Sequence, residues 1–322
     1  TRPEGPGHSV TAIVDVQDVR VGPARASRVH VEADGGVLWD GEGPVVPTRL
    51  AVRTEAEKIE ASGASFERLA LELDGPPPGD GVAEIAGAFA VDGVVAPGGV
   101  TLGQLAGRLG LQVAAPDLAG LAIPGAIVGS ALSVDLRGRA LKLAPASVPR
   151  FTITASGTAT PETPAAKLRV VLYNPTVGDQ PLESVVVEAS LPTRHRADVS
   201  VRATGPGQSV ALDVRLHLPD RPGDALDVRV SRLTAERDGL ALRAKPGLTI
   251  HVTTDAVAIR GLDLRATQRR GGALEGRLSG FGSFAAKSGR IRGTLNAEAF
   301  AVGPWIELGQ AFAGRKGASS PV

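Results

Sequence analysis

The amino-acid sequence predicts an all-β fold of many short antiparallel strands, and three observations lead to this prediction. Apolar residues recur at every second position in runs spread along the chain. The 41 Gly and 24 Pro residues fall mainly between these runs, where they act as turn signals. Successive runs follow at intervals of roughly ten residues, which is typical of closed or stacked β-folds.

The clearest run covers residues 210–218, where apolar side chains alternate with Ala211, Asp213, Arg215 and His217. A strand with this pattern has one apolar face and one polar face. The same alternation elsewhere predicts further strands of this kind. The residues assigned to the apolar faces, called here the predicted lining residues, are Leu69, Leu71, Leu73, Leu168, Val170, Leu172, Val210, Leu212, Val214, Leu216, Leu218, Leu226, Val228, Val230, Leu248, Ile250, Val252, Leu262 and Leu264.

The elements are expected in the following order. Residues 10–75 predict strands separated by Gly-rich turns. The run GPPPG at 75–79 interrupts them, because Pro has no N–H group for a strand ladder, and we interpret 75–81 as a loop tip or a module boundary. From residue 131 the alternation returns, and strands continue to about residue 300. We expect one continuous repetitive β-region over 1–309 and a frayed end over 310–322.

Residues 101–110 predict the one exception to this pattern, a short helix. Thr101 and Gln104 have the spacing of a capping box, and Leu102, Leu105 and Leu109 fall on one face of a helix. The following residues, up to 129, are apolar and broken by Gly and Pro. We therefore expect a helix-containing insertion over 101–129.

The composition favours an aliphatic interior and a neutral exterior. Hydrophobic residues make up 43% of the 322 residues, yet only 3% are aromatic, so Leu, Val, Ala and Ile would line the interior. Lys and Arg number 35 against 34 Asp and Glu. This balance gives no reason to expect nucleic acid or an acidic partner.

The sequence shows no pattern of catalytic or metal-binding residues. It has no Cys, which excludes disulfides, thiolate metal sites and Cys nucleophiles. None of the five histidines, His8, His30, His195, His217 and His251, pairs with another at metal-ligand spacing. Neither a Gly-x-Ser-x-Gly elbow nor a Gly-Lys phosphate loop occurs. We therefore expect no catalysis, no cofactor and no metal.

Two features suggest that the chain is part of a larger protein. The sequence contains no Met and opens with Thr1, so we expect an internal piece or a processed segment. No stretch of 18 apolar residues that would span a membrane as a helix is present. Any targeting or anchoring segment would then lie outside this piece.

Three stretches carry a resemblance to a known family. They are LAVRTEAEKIEASG at 50–63 leading into LALELDG at 69–75, DLAGL at 117–121 with GSALSVDLRG at 129–138, and LALRAKPGLTI at 240–250 followed by IRGLDLR at 259–265 and LEGRLSG at 274–280. Their alternation with placed glycines resembles the repetitive β-region of the TamB family, within the AsmA-like superfamily. TamB is the inner-membrane subunit of the translocation and assembly module. The likeness extends over most of the chain.

The resemblance implies an elongated, curved, repetitive antiparallel sheet that folds into an apolar groove, a β-taco, with a polar exterior. It also implies a periplasmic location, tethered to the inner membrane by an anchor outside this piece. Two roles come with the family. One is phospholipid transport from the inner to the outer membrane. The other is the assembly of outer-membrane or secreted β-proteins, with an outer-membrane β-barrel partner.

Physical chemistry is consistent with the first role and leaves two alternatives open. A groove lined by Leu and Val suits acyl chains of any identity, because each buried methylene contributes about 0.8 kcal/mol. Alternatively, exposed strand edges pair with client strands, which makes the protein a scaffold or chaperone. In the third reading the apolar faces cover one another in a structural β-sandwich stalk.

Overall fold

The computed structural model describes residues 7–38, 46–75, 82–114, 130–159, 165–178, 180–219, 225–268, 275–286 and 288–300. Every helix or strand in these segments is a β-strand, 20 in all, and the chain is an antiparallel β-protein as the sequence predicts. The strands belong to two compact units, called here unit 1 (Thr1–Ala144 with Pro149–Glu162) and unit 2 (Pro145–Val148 with Thr163–Val322). Within the described segments, no helix meets the length and hydropathy needed to cross a bilayer.

Unit 1 is a meander in which consecutive strands pair from the first to the seventh. Its strands are β1 (Gly7–Val21), β2 (Ala24–Leu38), β3 (Val46–Ala61), β4 (Ala64–Gly75), β5 (Val82–Ala96), β6 (Val100–Ala114), β7 (Ser130–Leu143) and most of β8 (Ala146–Ala159). β4 and β5 pair directly although the run at 75–81 separates them in sequence. Residues 76–81 themselves lie outside the described segments, as do 115–129 and 310–322.

Unit 2 continues with strands that are also antiparallel. They are β9 (Ala165–Tyr173), β10 (Thr176–Val177), β11 (Gln180–Pro181), β12 (Ser184–Thr193), β13 (Arg196–Gly205), β14 (Gln208–His217), β15 (Leu226–Arg237), β16 (Leu240–Ala244), β17 (Leu248–Val252), β18 (Ala256–Gln268), β19 (Glu275–Ala285) and β20 (Arg290–Glu298). β9 pairs with β12, and pairing then proceeds through β13 and β14 to β15. β16 and β17 share the space between β15 and β18, and β19 and β20 follow.

The predicted helix at 101–110 is wrong, because these residues form part of β6. Leu102 and Leu105 lie on the same face of the sheet although they are three residues apart, because the alternation of side chains shifts by one residue between them. Such a shift is called here a change of parity. β3 and β4 make the same three-residue step, from Ala56 to Ile59 and from Phe66 to Leu69, and Ile59 lies opposite Phe66 in the sheet. Beyond the step, Leu105, Gly107, Leu109 and Leu111 alternate as in an ordinary strand, but Gly107 hides the alternation from view.

Residues with positive φ lie at this change of parity on alternate strands of unit 1. Asp18, Lys58, Gly93 and Ala140 have φ of 52°, 47°, 63° and 56°. One residue in the left-handed region reverses the alternation of side chains along the strand once. Apolar residues on either side of it are therefore three positions apart in sequence and still lie on the same face of the sheet. In β3, Ala56 is buried and Ile59 is half-buried, whereas Glu57 and Lys58 between them are exposed.

Two β-bulges serve the same purpose in unit 2. In β15 the register against β14 shifts by one residue, so that Val230 lies opposite Val214 and Leu233 lies opposite Leu212. In β18 a second shift falls between Ile259 and Leu262, where Gly261 has a φ of 67°. Each bulge inserts one extra residue, so odd-numbered and even-numbered apolar residues of one strand lie on the same face.

Few large side chains are fully enclosed in the described parts of either unit. Nine hydrophobic residues are buried there, and four of them are alanines. Among the larger ones, Phe151 is 6% exposed, and its ring occupies the space that a Cβ atom on Gly138 would take. Each unit therefore leaves much of its apolar face only partly covered.

Candidate functional site

The apolar face of unit 1 extends across seven strands without interruption by a charged side chain. Residues directly opposite each other in an antiparallel pair project to the same side. The pairing registers therefore align apolar side chains in rows that cross the sheet. One row consists of Val14, Val31, Thr54, Leu71, Phe89, Gly107 and Leu136, and its neighbour of Ala12, Ala33, Val52, Leu73, Gly87, Leu109 and Val134.

Large aliphatic side chains on this face are accessible to solvent. Val10 is 60% exposed, Val14 51%, Leu50 56% and Leu132 48%. Nothing in the described segments of unit 1 packs over these side chains to the extent expected of a closed core. Scattered exposed apolar residues are ordinary, but a contiguous exposed face of this kind marks an interaction site or a ligand-binding groove.

The opposite face of unit 1 is charged, and its charges are matched across strands. The Arg28 guanidinium donates a 2.6 Å hydrogen bond to the Asp15 carboxylate and holds the pKa of that carboxyl below its ordinary value. Arg53 and Glu72 form a second pair at 3.1 Å, and the carboxylate raises the pKa of the Arg53 guanidinium. Further pairs join Arg68 to Glu55 and Arg49 to Asp74.

A shallow cavity of about 490 Å³ lies on this charged face. Its floor is formed by small residues of β5 and β6, including Ala86, Ala88 and Gly110. Charged residues, Glu72 and Arg108 among them, form its walls. The cavity contains no group of three or more potential metal ligands, and the same holds for all described residues.

Unit 2 has an apolar face built in the same way. One row consists of Leu168, Ala189, Val199, Val214, Val230 and Leu248, and the next of Val170, Val187, Val201, Leu212 and Leu233. Coverage varies along it, since Val230 and Leu248 are 6% and 7% exposed whereas Leu168 is 38% exposed. The face therefore has a well-packed middle and a more open side at β9.

The last strands of unit 2 expose their apolar face most. Ile291 is 80% exposed and Leu295 is 64% exposed. Between them, Gly282 and Gly293 lie opposite each other and leave an opening in the row of side chains. A cavity of about 300 Å³ lies at this opening. Ile259, Leu262, Gly282, Ile291, Gly293 and Leu295 line it from the apolar face, and Phe281, Arg292 and Thr294, whose side chains the register places on the opposite face, adjoin it.

The polar face of unit 2 also contains ion pairs. The Asp198 carboxylate accepts hydrogen bonds from Arg196 at 2.7 Å and from Arg215 at 3.0 Å, and both guanidiniums lower its pKa, that of Arg196 more strongly. Arg277 donates two hydrogen bonds of 2.9 Å to Asp263 and holds the pKa of that carboxyl below its ordinary value. These contacts fix side chains on the face opposite the apolar one.

The structure places the predicted lining residues on the apolar faces of their units. Leu69, Leu71 and Leu73 lie on the face of unit 1. The others, apart from Leu218, lie on the face of unit 2, including Leu262 and Leu264 beyond the bulge in β18. Leu218 follows the end of β14, where its N–H donates to the His195 carbonyl oxygen at 2.8 Å.

The sequence interpretation missed much of both faces. β1 and β2 contribute Val14 and Val31, and β12 and β13 contribute Val187 and Val201. In β12 three consecutive valines interrupt the alternation, so the sequence does not show which of them lie on the apolar face. In β6 the glycines have the same effect, because they contribute no side chain to either face. A search for apolar residues at matched positions of neighbouring strands is the signal that would have found them.

His30, His217 and His251 lie on the charged faces. His251 Nδ1 lies 2.6 Å from the Asp227 carboxylate, and His30 Nδ1 lies 3.6 Å from the Asp15 carboxylate. His217 lies directly opposite Asp227, so His217, Asp227 and His251 form one row across β14, β15 and β17, and no group of three or more potential metal ligands occurs among the described residues.

Comparison with known proteins yields no relative. No family model matches the chain, and searches of the curated proteins and of the solved structures find no match either.

Proposed function

We propose that the apolar faces of this protein bind the acyl chains of phospholipids and that the protein transfers lipid between membranes. In this proposal the chain is a periplasmic segment tethered to the inner membrane, and it carries phospholipid toward the outer membrane without catalysis. The observation that supports it best is the apolar face of unit 1, which crosses seven strands and leaves Val10, Val14 and Leu50 more than half exposed. The resemblance to the TamB family points the same way.

The chemistry of the faces matches an acyl chain. Leu, Val, Ala and Gly side chains offer no hydrogen-bonding group, so they neither require nor reject a particular lipid. Contact with a chain of about 16 carbons gains on the order of 10 kcal/mol if every methylene is covered, and less when one side stays open. A bound lipid is then stable enough to leave a membrane and weakly enough held to move along the face.

The decisive experiment compares two double variants that differ only in the face they change. Val14→Asn with Leu50→Asn places amides on the apolar face, whereas Ile13→Asn with Ala51→Asn places them on the charged face of the same strands. The purified proteins are mixed with phosphatidylglycerol and analysed by native mass spectrometry. We expect bound lipid on the wild type and on the charged-face variant, and a loss of about tenfold or more on the apolar-face variant.

Circular dichroism and the urea midpoint show whether each variant keeps its fold. The substituted apolar residues are half-exposed, so we expect their replacement to cost about 1 kcal/mol of stability at most. Lipid-free wild type, or equal loss of lipid from both variants, would contradict the proposal. Unfolding of the apolar-face variant alone would show instead that the face is packed against another surface, as in a structural stalk.

A second function, the binding of client β-strands, is favoured by the free edge of unit 1. β1 is 15 residues long and, within the described segments, pairs on one side only, with β2. An unpaired edge of this length can add a strand from another chain. A Pro substitution at a position of β1 whose N–H points away from β2 would weaken the binding of a client that pairs with this edge, while lipid binding would stay unchanged.

A further inference from the structure

The two ends of the chain differ in charge although the whole is nearly neutral. Residues 7–75 contain 7 Lys and Arg against 12 Asp and Glu, whereas residues 225–300 contain 13 Lys and Arg against 7 Asp and Glu. The excess of positive charge therefore lies in the C-terminal part of the sequence. A basic excess that is confined to one region of a protein attracts an anionic partner to that region.

The pairing of these charges differs as well. On unit 1, Arg28, Arg49, Arg53 and Arg68 each face a carboxylate across the strands. On unit 2, whose polar face also contains ion pairs, three arginines lie in one row across the strands. Arg243, Arg265 and Arg277 lie directly opposite one another on β16, β18 and β19. Within this row Arg243 pairs with Glu236 and Arg277 pairs with Asp263. Arg265 lies between them, with an arginine opposite it on each side.

Four arginines that are spread along the polar face of β18 and β20 form no ion pair within the described part of the chain. They are Arg260, Arg265, Arg290 and Arg292, all of them exposed. Arg277 is the exception on β19, since Asp263 neutralises it. The four guanidiniums therefore remain available to an external anion.

An aromatic side chain stands among these arginines. Phe281 is 61% exposed and, by the register of β19, projects to the same face as Arg277, away from the apolar face. Arg292 is its diagonal neighbour on β20, at a distance on the order of 7–8 Å between Cα atoms. The bulge of β18 that contains Arg260 lies opposite it on the other side.

We propose that this surface, called here the basic patch and consisting of Arg260, Arg265, Phe281, Arg290 and Arg292, docks unit 2 on the surface of an anionic lipid bilayer. Arginines bind the headgroup phosphates with guanidinium hydrogen bonds, and each basic residue strengthens association about fivefold. An exposed aromatic ring beside them enters the interface between headgroups and acyl chains. An acidic protein surface would satisfy the arginines but gives no reason for the solvent-exposed ring.

The test is sedimentation with vesicles at an ionic strength of about 0.15 M, where long-range attraction is screened. Vesicles of phosphatidylcholine alone are compared with vesicles in which about a third of the lipid is phosphatidylglycerol. The patch variant carries Arg265→Gln, Arg290→Gln and Arg292→Gln. The control carries Arg49→Gln, Arg53→Gln and Arg68→Gln on the charged face of unit 1, which changes the net charge of the protein by the same amount.

We expect the wild type and the control to bind the anionic vesicles alike, and the patch variant to bind on the order of 100-fold more weakly. Phe281→Ala is expected to weaken binding severalfold while leaving its salt dependence unchanged, because it removes no charge. Absence of wild-type binding, equal binding to both kinds of vesicle, or equal loss in the control would each overturn the proposal.

The outcome is separable from that of the proposed lipid-binding function. The apolar-face variant, Val14→Asn with Leu50→Asn, leaves the basic patch intact and should still sediment with anionic vesicles. The patch variant leaves the apolar face of unit 1 intact and should still carry lipid in native mass spectrometry. Each proposal can therefore fail while the other stands.

Discussion

Replacement of Phe151 by Ala is expected to destabilise unit 1 by about 3 to 4 kcal/mol. The side chain is 6% exposed, and its ring lies where a Cβ atom on Gly138 would be. A buried phenylalanine covers about 150–250 Å² of surface, which corresponds to roughly 4–6 kcal/mol at about 25 cal/mol per Å². Part of that contact remains with Ala, and the open sheet can relax around the gap, so the lower part of the range applies.

The measurement is urea unfolding followed by circular dichroism, with calorimetry to separate the transitions of the two units. For a unit of this size, the expected loss lowers the melting temperature by about 10 °C. Phe281→Ala is the matched control, because that ring is 61% exposed and its removal should cost less than about 1 kcal/mol. A small effect at Phe151, or effects of equal size at the two positions, would refute the assignment of Phe151 as a core residue.

Two further predictions concern the bulge glycines and the ion pairs. Gly261→Ala should lower the free energy of unfolding by about 2–3 kcal/mol, because φ is positive and the new Cβ would lie 2.5 Å from the Gly247 backbone. Gly93→Ala should lower it by about 1–2 kcal/mol, because φ is positive there too but the flexible Glu67 side chain can move away. Equal urea midpoints for the two variants would contradict this reasoning. Asp198 has a pKa below its ordinary value of 3.8 in the folded protein, so its contribution to stability is present above that pH and is lost as the pH falls further. Asp198→Asn should therefore lower the melting temperature at pH 7 and make it depend less on pH below about pH 4. If the variant lowers the melting temperature by the same amount at pH 7 and at about pH 3, this ion pair is not the cause.

The strands and their apolar faces were largely predictable from the sequence, since alternation is a local property. Leu69, Leu71 and Leu73 alternate without interruption, and they lie on one face as predicted. The helix predicted at 101–110 was wrong because Leu102 and Leu105 lie three residues apart within a β-strand. The alternation of side chains shifts by one residue between them, and the same shift on the neighbouring strands becomes visible only in the paired sheet.

The extent of the candidate site was not predictable in the same way. Val14 and Val187 belong to the faces only because Val31 and Val201 lie opposite them on the neighbouring strands. The basic patch likewise depends on register, because Arg260, Phe281 and Arg292 lie on three different strands and become neighbours only through strand pairing. Pairing between strands is a long-range property that composition and period do not encode.

By itself, the sequence determined that this chain forms antiparallel strands with one apolar and one polar face, because side chains in a strand alternate with a period of two. Only the tertiary structure decided which strands are neighbours and where bulges reverse the parity. It also decided that the apolar residues of neighbouring strands form continuous rows, which other described residues cover only in part. The physical reason is that register is set jointly by two strands, and one inserted residue such as Gly261 moves every later side chain to the other face.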